Sequence, residues 1–126
     1  MTSKLKPQEF HQAISRLLNE KLKPLITEEK SLNLVTCTDI YTTIFEAMTD
    51  VIRAAELPLS NEAANWLSQT YYDGILVNGN QELDGEIFTK RASLDNLPTS
   101  EITLMAVLLN GTDFALPLIE EVKRRS

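Results

Sequence analysis

A chain of 126 residues, 43% apolar and 24% charged, has the size and composition of one globular domain, which excludes wholesale disorder. Its net charge of −6 is unevenly placed: residues 1–30 carry six Lys/Arg against four Asp/Glu, whereas the span 39–86 holds nine acids and one base, Arg53. Phosphate backbones demand clustered cations, so direct nucleic-acid binding is not the expected role of that span.

Cys37 is the single cysteine, so no intramolecular disulfide can form and a reducing compartment is expected. No apolar run reaches the length of a membrane span, and the first residues lack the apolar core of a secretion signal. The expectation is a soluble, cytoplasmic protein.

In chain order, a first helix is predicted over residues 7–22. Pro7 suits a first turn, and Phe10, Ala13, Ile14, Leu17, Leu18 and Leu22 repeat at three-four spacing. Pro24 follows its end. His11 falls off the stripe and is predicted to face solvent. The stripe should pack on the next helix, and it is also the candidate seam for a homodimer. Residues 26–33 read as a connector.

The segment 36–56 is the expected centre. Ile40, Ile44, Met48, Val51 and Ala55 share one helical face, widened by Tyr41, Phe45 and Ile52. Thr36, Thr38 or Asp39 offers an N-cap oxygen. The opposite face carries Asp39, Glu46, Asp50 and Arg53. Amphipathicity alone explains a solvated face there; the functional alternative is an acidic surface that docks a basic partner.

Ser60 is then a good N-cap, with Glu62 in the first turn where negative charge is favourable. Ala63, Trp66, Leu67, Thr70 and Tyr71 lie on one side. The helix is predicted to run through Gly74 to Asn78-Gly79; the competing reading ends it near Tyr72 and makes 75–77 a strand. Tyr71 and Tyr72 point in different directions, so one should face solvent. Tyr72, with Trp66, is the candidate partner-binding anchor.

Residues 78–98 are the least regular part, rich in turn formers, with a possible small hairpin around Asp84-Gly85. Thr99 or Ser100 is expected to cap a fourth helix. That helix is apolar almost all round and so should be buried on most sides before Asn110-Gly111 stops it. The last helix, 116–125, tolerates Pro117 in its first turn. It turns Leu118, Ile119 and Val122 inward. Glu120–Arg124 and Glu121–Arg125 are spaced as ion pairs, and the basic end complements the helix dipole.

Chemistry is sparse. Residues 80–87 place Asn80, Glu82, Asp84 and Gly85 as a calcium loop would, but the closing position is Arg91, whose charge repels calcium. The four glycines are scattered, so no phosphate-cradling loop exists. One histidine and one cysteine are too few for a usual zinc site. No catalytic set, metal or cofactor is expected.

The fold expectation is all-α, a single helical domain over 1–126 with about five helices around one core and an irregular segment at 78–98. The functional expectation is a non-enzymatic protein-interaction module (a small regulator, adaptor or assembly factor). It would meet a protein partner through Asp39, Glu46, Asp50 and Tyr72. Two alternatives stand beside it. One is an acidic inhibitor or immunity-type protein that blocks a basic or nucleic-acid-binding site. The other is a small enzyme or ligand-binding protein with a pocket between helices.

Overall fold

A computed structural model describes residues 7–24, 34–75 and 92–126, with side chains from 9, 37 and 92 onward in the three segments and through 73 in the second. The described chain is all-α: α1 (Pro7–Leu22), α2 (Leu34–Ala54), α3 (Asn61–Ile75), α4 (Thr99–Leu108) and α5 (Leu116–Arg125), with 3-10 turns at Leu94–Asn96 and Asp113–Ala115. No strand occurs among the described residues, and none of their helices is long and apolar enough to cross a membrane.

The α2 stripe lies in the core, with Ile40, Ile44, Ala47 and Met48 fully buried. It packs along α1 and α3. The fourth helix docks mainly on α1 and α5. The centre is therefore shared, because α1 bridges an α2–α3 half and an α4–α5 half. Phe10, Ile14, Leu18 and Leu22 of α1 are all buried in that junction. The stripe expected to serve as a dimer seam is thus consumed inside the monomer. The faces left outside carry Glu9, Gln12, Ser15, Arg16, Asn19 and Glu20.

Helix ends correct several expectations. Because α2 begins at Leu34, the candidate caps Thr36, Thr38 and Asp39 lie within it. Its C-terminus closes with Leu57 N–H on Ile52 O (2.9 Å) and Glu56 N–H on Arg53 O (3.1 Å), the paired bonds of a Schellman motif. That closure needs a left-handed residue, and Glu56 supplies it at φ 53. Ser60 caps α3 as expected: its Oγ accepts the Ala63 N–H at 3.2 Å. The helix runs past Tyr72 to Ile75, which removes the shorter alternative. The predicted Asn78-Gly79 stop, the hairpin at Asp84-Gly85 and the loop 80–87 lie outside the described residues.

In α4 the capping position is Pro98, whose ring has no oxygen to accept a backbone N–H, and Thr99 is already helical. Nor is α4 buried all round, since Val107 is 45% exposed. Likewise Ile119, predicted inward, is 38% exposed. Leu118 takes the core position, and 100° of helical rotation carries its neighbour Ile119 outward. The charged end of α5 pairs through one carboxylate: Glu121 accepts from both Arg124 and Arg125 (2.8 Å to Arg125 Nε). Arg124 also reaches Asp95 at 3.2 Å, so its partners differ from the predicted Glu120.

Candidate functional site

The outer face of α2 presents Asp39, Glu46 and Asp50, all exposed. Steps of seven and four residues keep them on one side of the helix, about 10 Å and 6 Å apart along its axis at a rise of about 1.5 Å per residue. Among the described residues none of the three makes an ion pair or hydrogen bond through its carboxylate, and the same holds for Glu56 and Glu62. The α4–α5 half differs in part. There Glu121 holds two arginines, Asp95 holds Arg124, and Glu101 accepts from Ser60 N–H at 3.1 Å and Ser60 Oγ–H at 2.7 Å. Asp113 and Glu120 of that half are exposed with no such partner among the described residues, so open carboxylates are not confined to α2; what sets α2 apart is that Asp39, Glu46 and Asp50 share one helical face.

An open groove of about 350 Å³ lies between α2 and α3, on the flank of the α2 stripe, lined by Tyr41, Phe45, Asn61, Glu62 and Asn65. Tyr41 and Phe45 lie one turn apart on the flank of the α2 stripe, half-buried and near-parallel, with ring centroids 6.3 Å apart and planes at 25°. Tyr41 is held from two sides. Its hydroxyl donates to Asn65 Oδ1, and its ring meets Tyr72 edge-on at 6.1 Å and 75°. Asn65 Oδ1 also accepts from Gln69 Nε2 at 3.4 Å, and Gln69 Oε1 takes the Ala92 N–H at 3.0 Å.

Tyr72 itself, the expected anchor, is 1% exposed and is not presented to a partner. Tyr71 is buried too, so neither ring of the pair faces solvent. The reason is that α3 is covered on two sides, by α2 over Tyr72 and by α1 with the Asp113–Ala115 turn over Tyr71. Tyr72 instead backs the groove from below. The lining residues Asn61, Glu62 and Asn65 escaped sequence reasoning, because their juxtaposition with Tyr41 and Phe45 exists only once α3 crosses α2. The sequence signal that was present is the aromatic pair at the edge of the stripe.

His11 is likewise not solvent-facing. Its Nδ1 is hydrogen-bonded to the Tyr71 hydroxyl at 2.6 Å, and Phe114 packs edge-on at 5.8 Å. Tyr71 and Phe114 are 4.8 Å apart, so the three rings tie α1, α3 and the Asp113–Ala115 turn together. Burial pushes the Tyr71 phenol above its ordinary value. Linking three elements, the cluster reads as a structural clasp. Cys37 is buried, and among the described residues no group of three His, Cys, Asp or Glu side chains could hold a metal ion.

Compared with known proteins, the chain matches no family model, no curated protein and no solved structure.

Proposed function

We propose that the protein is a non-enzymatic interaction module that binds a basic protein partner through the outer face of α2 and the start of α3. The observation that carries this reading is the run of exposed carboxylates with no partner among the described residues: Asp39, Glu46 and Asp50 on one face of α2, Glu56 at its end and Glu62 at the start of α3. Surface charge of one sign raises the association rate of a complementary partner, and the Tyr41 and Phe45 rings that share a groove with Glu62 supply contact area. A cytoplasmic setting agrees with the single thiol.

An acidic inhibitor would use the same face; its partner's activity would be lost on binding. An enzyme reading has less behind it, since the α2–α3 groove is open and its volume lies at the low end for small-molecule sites.

The test is capture of partners by the wild-type chain and by a triple variant Asp39→Asn, Glu46→Gln, Asp50→Asn. A partner of this face is lost from the triple variant, and its binding falls steeply as salt screens the surface over about 8–10 Å at physiological ionic strength. Capture that ignores both salt and the triple variant refutes the reading.

A further inference from the structure

We propose that the α2–α3 groove is an arginine-accepting notch: it takes the guanidinium of one arginine from the partner, stacked against Phe45 and Tyr41 and paired with Glu62. The inference rests on the interaction-module reading and specifies its chemistry.

The groove holds two near-parallel rings, one carboxylate and two side-chain amides, and no cation. The Asn65 carbonyl oxygen is already engaged by Tyr41 and Gln69, so it serves to fix the Tyr41 ring. The Glu62 carboxylate is exposed and has no partner among the described residues, so it is the open acceptor. Each class of occupant meets this lining differently. An anion is repelled by Glu62. An aliphatic side chain would cover the rings but draw water from Glu62 without replacing its hydrogen bonds. A lysine ammonium would satisfy Glu62, yet it is a compact, strongly hydrated point charge that gains less from a pair of ring faces. The guanidinium alone offers a flat, weakly hydrated cation that both stacks on aromatic faces and forks onto a carboxylate. A volume of about 350 Å³ is room for one long side chain and its waters, not for a folded element.

The experiment is calorimetric titration of the full chain with three short peptides of identical flanks, carrying arginine, lysine or citrulline at the centre. Arginine is expected to bind about tenfold tighter than lysine, the scale set by a partly desolvated cation–π contact. Citrulline, neutral but isosteric, should lose most of the affinity. Glu62→Gln is expected to weaken the arginine peptide by roughly fivefold, as loss of one charge-assisted pair does. Phe45→Leu keeps an apolar side chain and should erase the arginine-over-lysine preference; far-UV circular dichroism and a thermal melt establish that each variant is folded. Equal affinity for arginine and lysine overturns the notch. So does a folded Phe45→Leu or Glu62→Gln variant that keeps wild-type affinity and preference. Failure of the notch is separable from failure of the acidic face. If the α2 triple variant loses its partner while Glu62→Gln and Phe45→Leu retain it, the face stands and the notch falls. If only the groove variants lose it, the notch stands without the α2 acids.

Discussion

Replacing Glu56 by glycine is expected to stabilise the protein by about 1 kcal/mol, from three opposed contributions. Glu56 closes α2 at φ 53, a left-handed conformation found at no other non-glycine among the described residues. That conformation costs a residue with a Cβ roughly 1–2 kcal/mol. Its carboxylate also lies at the negative end of the α2 dipole, an unfavourable placement of about 0.3–1 kcal/mol. Glycine removes both penalties, but the unfolded chain gains freedom and returns roughly 0.5–1 kcal/mol. For a domain of this size a net gain of about 1 kcal/mol raises Tm by about 4 °C. Urea unfolding followed by far-UV circular dichroism measures it. Two companions divide the effect: Glu56→Gln relieves only the dipole, and Glu56→Ala relieves the dipole while keeping the left-handed strain. Both should gain less than glycine. A glycine variant no more stable than wild type, or a glutamine variant that gains as much, refutes the account. The charge at Glu56 also belongs to the uncompensated set. The interaction reading therefore adds that the stabilised glycine variant binds its partner more weakly.

Arg125 donates to Leu94 O and Leu97 O (both 2.8 Å), Thr99 Oγ1 (3.0 Å) and Glu121, fastening the segment before α4 to α5. Arg125→Ala should lower stability by about 2 kcal/mol in denaturant unfolding, and Arg125→Lys should not restore it, because a single ammonium cannot span those acceptors. Ser60→Ala removes the α3 cap at a cost of about 1 kcal/mol. Combined with Glu101→Gln it should fall short of additivity by about 0.5 kcal/mol or more in a double-mutant cycle, since the two side chains share one hydrogen bond; strict additivity would refute that link. Tyr71 titrates above its ordinary value of 10.0 in the folded chain. Because the folded pKa is raised, its contribution to stability is intact below 10.0 and is lost as pH rises beyond it. Tyr71→Phe should therefore flatten the alkaline limb of stability against pH. Glu121 has the opposite sign. Hydrogen bonds from Arg124 and Arg125 lower its pKa, so its contribution is present at neutral pH and fades as pH falls through the acid range. Glu121→Gln should make the protein less sensitive to acid in that range.

Helices were legible because their signals are local. The three-four spacing of Phe10, Ile14 and Leu18 and the flanking prolines placed α1 over the residues it occupies, and Pro117 did the same for α5. The buried stripe of α2 could be read for the same reason. The acidic face of Asp39, Glu46 and Asp50 was also visible, since helical phase alone turns those residues outward. What remained hidden belongs to residues at the edge of a stripe. His11 and Tyr72 sit where one helix leaves them exposed, and each is covered by an element 30 or more residues away, Tyr71 with Phe114 in one case and Tyr41 in the other. The end of α2 is another such place: sequence offered Pro58 as the stop, but the closure rests on the backbone of Glu56. The groove was least accessible of all. Its aromatic wall comes from α2 and its carboxylate from α3, and only the crossing of those helices makes them neighbours. Periodicity determines which face a residue occupies, because it follows from the geometry of one helix. Tertiary packing decides what that face meets, because that depends on where the other helices lie.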